Sequence, residues 1–192
     1  MEALTEPVSF DDEELILVDS QDQPIGSASK IDTHRGKGTL HRAFSIFLFD
    51  GPDRVLLQQR SNEKALWPGY WSNSCCSHPR LGEDYRQATR RRLFEELGIK
   101  TPLFRLYQFE YHAQFNETGA EHELCTVFVG NITGDQTLQT HPSEIADSRW
   151  VAAEELDSEL ATTASQFTPW LRLEWQTMRK DYWSAIDYLI SQ

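Results

Sequence analysis

The chain is poor in cysteine, has fewer positive than negative residues, and contains no long apolar run. Its three cysteines, Cys75, Cys76 and Cys125, are too few and odd in number, which disfavours a disulfide framework, and adjacent cysteines do not readily bridge. We therefore expect reduced thiols. The acidic, polar start and the lack of an apolar stretch of spanning length predict neither a signal peptide nor a membrane helix, and they favour the cytoplasm.

Negative charge outweighs positive charge, with 30 Asp and Glu residues against 18 Lys and Arg residues and a formal net charge of −12. Such a chain disfavours nucleic acid as a partner, because like charges repel. An anionic small-molecule substrate would need a locally positive pocket. With 39% hydrophobic residues among 192, the chain can bury a core. No pattern in it indicates an oligomeric state.

One domain is predicted, since no repeat, low-complexity tract or long linker divides the chain. We expect a disordered tail over 1–12 and a single domain over 13–192. Runs rich in β-branched and aromatic residues alternate with turn residues along most of that domain. They predict strands at 15–18, 44–49, 55–59, 104–114, 121–130 and 148–151, an extended segment at 71–76, and a hairpin that pairs 44–49 with 55–59.

Two helices are predicted. Asp84 and Gln87 have the spacing of a capping box, and Gly98 stands where a left-handed residue would end a helix, which predicts a helix over 85–97. Apolar residues between Trp170 and Leu189 recur at helical intervals and predict a C-terminal helix of about twenty residues. Strands around one helix, closed by a second helical layer, indicate an α+β sandwich with a mixed sheet.

The first of these helices carries most of the Nudix box, a loop–helix–loop signature whose glutamates hold magnesium on a diphosphate. The residues that match it, within 77–99, are Glu83, Arg91, Leu93, Glu95, Glu96, Gly98 and Ile99. Two residues depart from it: Ser77 replaces the opening glycine, and Arg92 replaces a glutamate that helps Nudix hydrolases to bind metal.

Because a guanidinium can make bidentate bonds to phosphate, we interpret this modified box as holding a diphosphate without cleaving it. The alternative is an ordinary solvated helix, in which Arg91 pairs with Glu95 and Arg92 pairs with Glu96.

Five potential metal ligands are spread along the chain: His34, His41, His78, Glu121 and Glu123. The two glutamates alternate on a predicted strand and therefore share a face. Three imidazoles and two carboxylates suit a six-coordinate Mn²⁺, Mg²⁺ or Zn²⁺ site with one position left for water or substrate. Each residue alone would ordinarily be a solvated side chain, so the prediction depends on their joint presence with the modified box.

Several separated motifs together resemble the type I isopentenyl-diphosphate isomerases, which have a Nudix-like fold. The segments that carry the resemblance, within 13–175, are 30–34 (KIDTH), 40–44 (LHRAF), 67–71 (WPGYW), 73–79 (NSCCSHP), 121–123 (EHE) and 168–170 (TPW). The resemblance implies a Nudix-like α/β/α sandwich. It also implies a reversible 1,3-shift that converts isopentenyl diphosphate to dimethylallyl diphosphate through a tertiary carbocation, in isoprenoid biosynthesis.

The resemblance further implies a role for each candidate residue. Cys76 and Glu123 would be the acid and base on opposite faces of the substrate, with Cys76 expected as a neutral thiol because it must present a proton. Tyr111 would support proton transfer at Glu123, and Trp170 would stabilise the carbocation. The expected ligands of one divalent metal are His34, His41, His78, Glu121 and Glu123; those of a diphosphate-bound Mg²⁺ are Glu96 and the main-chain carbonyl of Cys76; and the expected diphosphate-binding residues are Lys30, Arg60, Lys64 and Arg92.

Two other functions are compatible with parts of this pattern. A Nudix hydrolase of nucleoside diphosphate derivatives would share the fold, the magnesium and the pyrophosphate recognition, although Arg92 and the loop at 76–78 disfavour it. A non-enzymatic module could instead use His34, His41 and His78 to hold a structural metal, and chelation would then unfold the domain.

Overall fold

The computed structural model describes residues 7–132 and 136–191, which form nine strands and five α-helices. The strands are β1 (Glu14–Val18), β2 (Pro24–Ser29), β3 (His41–Phe49), β4 (Arg54–Arg60), β5 (Trp71–Ser72), β6 (Cys75–Ser77), β7 (Leu103–Gln114), β8 (Ala120–Asn131) and β9 (Ile145–Ala152). The helices are α1 (Lys30–His34), α2 (Tyr85–Leu97), α3 (Ala153–Thr162), α4 (Pro169–Thr177) and α5 (Trp183–Ile190), with a short 3₁₀ helix at Ala164–Gln166 and a π-helical turn at Met178–Tyr182.

Within the described ranges, the nine strands belong to one mixed sheet with β3 near its centre. β8 pairs in parallel with β3 from His41 opposite Glu123 to Phe49 opposite Asn131. β7 pairs antiparallel with β8, and β1 and β6 pair antiparallel with parts of β3. The predicted mixed sheet and the predicted strands at 104–114, 121–130 and 148–151 are confirmed.

The predicted hairpin between 44–49 and 55–59 is largely wrong, because both runs are strands but they pair only where Phe49 meets Val55. A strand has two edges, and those of β3 are taken by β8 and by β6, which pairs from Phe44 to Ile46. β4 therefore diverges from β3 and pairs with β9 and β5. The extended segment at 71–76 is confirmed in part, as the two short strands β5 and β6.

Helices cover both faces of the sheet, which gives the expected α/β/α sandwich. α2 packs on one face, over a buried cluster that includes Ile46 and Leu48 of β3. α3, α4 and α5 pack on the other face, over a cluster that includes Phe47 and Phe49. Alternate residues of β3 thus face opposite helical layers, which explains why its sequence is apolar almost throughout.

α2 begins and ends where the sequence predicts. The Asp84 side chain accepts from the Gln87 amide and the Gln87 side chain accepts from the Asp84 amide, so the capping box is complete. Gly98 has φ +68, and a Cβ there would lie 2.9 Å from the Cβ of Gln139. A glycine is therefore required at this position. The helix places Arg92 and Glu96, one turn apart, towards the sheet.

The predicted C-terminal helix is present between Pro169 and Ile190, but as α4 and α5 separated by the π-helical turn. Three elements were not predicted: β2, α1 and α3. β2 is mostly exposed and lacks apolar alternation, and α1 has five residues, too few for a periodic signal.

Residues 7–12 lie against the domain. The carbonyl of Val8 accepts a hydrogen bond from Arg92 at 2.6 Å, and the hydroxyl of Ser9 contacts the amine of Lys30. Residues 1–6, the other half of the predicted tail, lie outside the described residues, so the domain boundary after residue 12 stays a prediction. No helix in the described part of the chain is long and apolar enough to cross a membrane.

Removing the N-cap of α2 should destabilise the domain. Asp84→Ala deletes the acceptor of the Gln87 amide, and we expect the free energy of unfolding in urea to fall by about 1 kcal/mol. Asp84→Asn keeps an acceptor and should lose much less. Arg90→Ala, an exposed change on the same helix, serves as the control. Equal stability of Asp84→Ala and the wild type would contradict this role of the cap.

Candidate active site

The register of the sheet brings Cys76 and Glu123 to the same face. His41 and Ser45 are four residues apart on β3 and therefore point the same way. β3 pairs with β8 at His41 opposite Glu123, and with β6 at Ser45 opposite Cys76. Paired residues share a face, so the thiol and the carboxylate both project towards the layer of α4.

Most of the predicted site residues line a single cavity of about 680 Å³. They are Lys30, His34, Arg60, Lys64, Cys76, His78, Arg92, Tyr111, Glu121, Glu123 and Trp170. The other two lie next to lining residues: the ring of His41 is 4.8 Å from that of His34, and Glu96 pairs with Arg92. Motifs far apart in the chain thus converge at one place.

Hydrogen bonds fix the position of the Cys76 thiol. It donates to Oδ1 of Asn73 at 2.6 Å and accepts from the indole Nε1–H of Trp170 at 3.2 Å. Nδ2 of Asn73 donates to the carbonyls of Ile46 and Cys75, which turns Oδ1 towards the thiol. Burial raises the pKa of Cys76 above its ordinary value, so the side chain is a neutral thiol. Asn73 lies within the motif at 73–79, but no role was predicted for it.

Glu123 is held by one partner on β7 and by another that directly follows β6. The hydroxyl of Tyr111, opposite Glu123 in the pairing of β7 with β8, donates to Oε2 at 2.7 Å. Nε2 of His78 lies 3.0 Å from Oε1. Burial and the nearby carboxylate of Glu121 raise the pKa of Glu123 well above its ordinary value. A bound cation would reverse this effect, because it favours the ionised carboxylate.

The five predicted metal ligands form one cluster. One potential ligand atom from each of His34, His41, His78, Glu121 and Glu123 lies within 4.8 Å of the others. They come from α1, β3, the residue after β6, and β8, so their convergence depends on the sheet rather than on any local motif.

The backbone leaves Nε2 of two histidines available to a cation. Nδ1 of His34 is 2.7 Å from the carbonyl of Lys30, and Nδ1 of His41 is 2.7 Å from the carbonyl of Thr39. A carbonyl only accepts, so Nδ1 carries the hydrogen and a neutral ring presents a lone pair at Nε2. Nε2 of His41 is buried and has no hydrogen-bond partner among the described residues. Such an atom is what a metal ion would satisfy.

The charges in this cluster also suit a divalent cation. Although burial opposes it, the imidazole of His34, 2.8 Å away, lowers the pKa of Glu121 to about 2. Burial lowers the pKa of His41 to about 3. Burial also lowers the pKa of His78 well below its ordinary value, whereas Glu121 raises the pKa of His34 against the effect of burial. The carboxylate oxygens and the neutral imidazoles of His41 and His78 form a donor set that fits a divalent cation.

Buried ion pairs occupy one side of the cavity. Lys64 lies 2.6 Å from Glu144, and Arg92 pairs with Glu96 and, at 3.1 Å, with Glu144. Glu144 was not predicted, because it lies in the turn before β9 and no periodicity marks it. Its carboxylate fixes Lys64 and Arg92, which are two of the four cations predicted to bind a diphosphate.

The ion pairs expected of an ordinary solvated helix are present, but two of their members are not solvated. Arg91 lies 3.2 Å from Glu95, and Arg92 contacts Glu96. Arg92 and Glu96 are only 3% and 1% exposed. Burying such an ion pair is costly unless further groups satisfy its charges. The burial of Arg92 and Glu96 therefore does not fit an ordinary solvated helix.

Lys30 and Arg60 also line the cavity, and Lys30 is close enough to Lys64 and Glu144 for their charges to act on it. Burial lowers the pKa of Lys30 to about 8. Arg60 donates to the carbonyls of Leu66 and Trp67, and its guanidinium carbon lies 5.2 Å from the ring centroid of Trp170. These cations give an acidic chain a locally positive cavity.

Aromatic side chains form the wall beside Cys76. Trp170 packs edge-on against Trp67 with ring centroids 5.2 Å apart, and lies 6.4 Å from Tyr111. All three are buried. Trp71 is not part of this wall: it packs on the core beneath the C-terminal helices, with Arg149 4.7 Å from its ring.

One cysteine and two histidines, Cys75, His112 and His122, do not line the cavity. Cys75 is buried in the cluster under α2, on the face opposite Cys76. His112 contacts the carbonyl of Lys37 at 2.7 Å, and His122 pairs with Glu110 at 3.1 Å.

Comparison with known proteins identifies close relatives. A family model for the NUDIX domain matches residues 39–171. The chain is similar to isopentenyl-diphosphate Delta-isomerase 1 of Photorhabdus laumondii, with 38% identity over 177 residues that cover 91% of this chain and 99% of the relative. It is also 43% identical to isopentenyl-diphosphate Delta-isomerase of Serratia proteamaculans over 159 residues, covering 83% and 87% of the two chains.

Solved structures show the same fold at lower identity. DR0079 of Deinococcus radiodurans superposes with a TM-score of 0.69 at 22% identity, covering 85% of this chain and 98% of its own. A MutT protein of Methanosarcina mazei has a TM-score of 0.58 at 16% identity, with 74% and 94% coverage. The relatives that share much more sequence are isomerases, which favours neither a hydrolase nor a non-enzymatic metal module. The chain belongs to the isopentenyl-diphosphate Delta-isomerases, within the NUDIX domain family.

Proposed function

We propose that this isomerase moves the double bond of isopentenyl diphosphate by giving a proton from Cys76 and taking one up at Glu123, which yields dimethylallyl diphosphate. The observation that carries the proposal is their common cavity, where a half-buried neutral thiol and a buried carboxylate border the same space. The reaction belongs to isoprenoid biosynthesis, and we assign it to the cytoplasm. The net charge of −12 supports a small diphosphate rather than a nucleic acid as the ligand.

Protonation comes first, because an unactivated alkene has no carbonyl that could stabilise an anion. The π electron pair forms a C–H bond to the terminal carbon with the proton of Cys76, which leaves a tertiary cation and a thiolate. The indole N–H of Trp170 points at Sγ and would stabilise that thiolate. The Trp170 ring lies in the cavity wall, where a desolvated cation–π contact contributes about 2 kcal/mol.

Deprotonation then completes the shift. Glu123 removes a proton from the carbon between the cation and the diphosphate-bearing carbon, and the C–H electron pair becomes the new double bond. The Tyr111 hydroxyl, 2.7 Å from Oε2, orients the carboxylate and can share the proton. One turnover leaves Cys76 short of a proton and Glu123 with an extra one, so both must exchange before the next turnover.

We propose that His34, His41, His78, Glu121 and Glu123 hold one Mn²⁺, Mg²⁺ or Zn²⁺ ion. The ion, when bound, favours the ionised form of Glu123 and so supplies the base. Glu96 and the main-chain carbonyl of Cys76 are the proposed ligands of a Mg²⁺ bound with the diphosphate.

Lys30, Arg60, Lys64 and Arg92 line the cavity and are the proposed diphosphate-binding residues. Their task is to retain the group, because an allylic diphosphate ionises more readily than the substrate. Arg92 in place of an acidic ligand supports retention rather than hydrolysis, since it lowers the negative charge available to a metal cluster.

Removing the thiol should stop the reaction without unfolding the protein. We expect Cys76→Ala to lower turnover of isopentenyl diphosphate by at least about 100-fold, the lower range for a general acid, with an unchanged circular dichroism spectrum. Cys75→Ala, on the opposite face of β6, is the matched control and should stay active. Retention of substantial turnover by Cys76→Ala would remove this residue from the acid role.

Neutralising the base should impair both catalysis and metal binding. Glu123→Gln keeps the shape of the side chain but can neither accept the proton nor bind a cation as strongly. We expect turnover to fall by about 100-fold or more, and manganese affinity measured by calorimetry to fall with it. Glu110→Gln, on the exposed side of β7, is the control. Normal turnover or normal manganese affinity in Glu123→Gln would contradict the assignment.

Chelation should inactivate the enzyme while the fold survives. The histidine rings and the strands that carry them are held by protein hydrogen bonds. We expect treatment with a chelator to abolish turnover but to leave most of the circular dichroism signal, and Mg²⁺ with Mn²⁺ to restore activity. Unfolding on chelation would instead indicate a structural metal.

A further inference from the structure

A second carboxyl group lies behind the proposed acid and has no part in the mechanism above. Glu174 is on α4, one turn after Trp170, and its side chain is fully buried. Residues four apart share a helix face, so Glu174 points into the sheet on the same side as Trp170.

A chain of polar contacts connects Glu174 with Cys76. Oε1 of Glu174 lies 3.6 Å from Sγ of Cys125, and that thiol lies 3.4 Å from the hydroxyl of Ser45. The Ser45 hydroxyl in turn lies 3.7 Å from Sγ of Cys76. Ser45 and Cys76 are paired residues of β3 and β6, and Cys125 pairs with Ala43 of β3, so the chain is part of the sheet.

The surroundings of Glu174 favour its neutral form. Oε2 is buried without a hydrogen-bond partner, and no cation within the described residues forms an ion pair with the carboxyl. The titratable groups that face it are Tyr107 on β7, Cys125 and Glu123 on β8, and Cys76 on β6, none of which supplies positive charge. Burial raises the pKa of Glu174 to about 8.

We propose that Glu174 is a positioning residue for Cys76. Glu174 must be a neutral carboxylic acid during turnover so that the Ser45 hydroxyl stays directed at the catalytic sulfur. The proposal rests on the acid role of Cys76 proposed above.

The direction of one hydrogen bond explains the effect. A neutral carboxylic acid can donate its own hydrogen towards Ser45 or Cys125, which leaves the Ser45 hydrogen free to stabilise the thiolate that forms at Cys76. An ionised carboxylate can only accept. Because Glu174 and Ser45 also form a side-chain hydrogen bond, the carboxylate would draw the Ser45 hydrogen away from the sulfur. Its negative charge would also oppose formation of a thiolate at Cys76. Proton transfer to the substrate would then become harder.

The first test is the pH dependence of kcat in the full-length, metal-loaded wild type and in Glu174→Gln, at saturating isopentenyl diphosphate. kcat reports groups in the enzyme–substrate complex. Burial also lowers the pKa of Lys30 to about 8. Its proposed role is in diphosphate binding, so saturating substrate removes its effect from kcat. We expect wild-type kcat to fall above about pH 8, by about tenfold per pH unit.

Glu174→Gln has no charge to gain, so its kcat should stay level over that range. The amide keeps both an acceptor and donors, and kcat at pH 7 should therefore lie within about threefold of the wild type. Ser45→Ala tests the connection itself: because the thiolate loses its donor, kcat should fall while KM stays unchanged.

The second test does not depend on activity. A glutamate with an ordinary pKa of 4.5 ionises early in the unfolded chain, but Glu174 stays neutral in the folded chain until about pH 8. The stability linked to it is therefore present below pH 4.5 and is lost as the pH rises to about 8. The urea midpoint of the wild type, relative to Glu174→Gln, should fall across this window. Glu154→Gln, an exposed change on α3, should leave the pH dependence of the wild type unaltered.

Three results would overturn the inference: a wild-type kcat that stays level up to about pH 9.5, the same alkaline fall in Glu174→Gln, or an unchanged kcat in Ser45→Ala. If Glu174→Gln does not fold, Glu174→Met removes the charge at similar length and takes its place. Failure of the proposed function can be distinguished from failure of this inference. If the Cys76→Ala variant is active, Cys76 is not the acid and the proposed function itself fails. If the Cys76→Ala variant is inactive and the wild-type kcat does not change with pH, only the role of Glu174 is contradicted.

Discussion

The parallel pairing of β3 with β8 is the constraint on which the site depends. It sets His41 opposite Glu123, and the antiparallel pairing of β3 with β6 sets Ser45 opposite Cys76. The strand pairing thereby places the Cys76 thiol, the Glu123 carboxylate and the His41 imidazole on one face of the sheet. This agrees with the general advantage of building sites on regular elements.

Burial then determines the charge state of the groups on that face. The same loss of solvation raises the pKa of Cys76, Glu123 and Glu174 and lowers that of His41 and Lys30, so each group tends towards its neutral form. Exceptions occur where a charge has a close partner. Arg92 stays charged between Glu96 and Glu144, and a cation among the histidines would do the same for Glu123.

Sequence patterns predicted the elements whose signals are local. The helix at 85–97 has its capping box and its terminal glycine, and the long strands β7 and β8 have continuous β-rich runs around a turn. The hairpin between β3 and β4 was predicted wrongly because turn residues show where a chain bends but not which edges other strands occupy. α1 and β2 were missed because they are short and weakly patterned.

For the site, residue types and resemblance predicted which side chains converge, but not the groups that orient them. Glu144 lies in a turn, Asn73 was an unassigned member of a motif, and Glu174 had the appearance of one more polar residue among the apolar positions of a C-terminal helix. Their contacts join β6, β9 and α4 to the cavity, over separations that no periodicity encodes. Such contacts become visible only in the folded structure.

β6 shows how much depends on register, because it has three residues and carries adjacent cysteines that face opposite layers. A shift by one residue would place Cys75 in the cavity and Cys76 in the core. The hydroxyl of Ser74 prevents this by accepting from the amide of Leu48 at 2.8 Å and donating to the carbonyl of Leu56 at 2.7 Å. The hydrogen bonds of Ser74 therefore favour the register in which the Cys76 thiol, and not that of Cys75, faces the cavity.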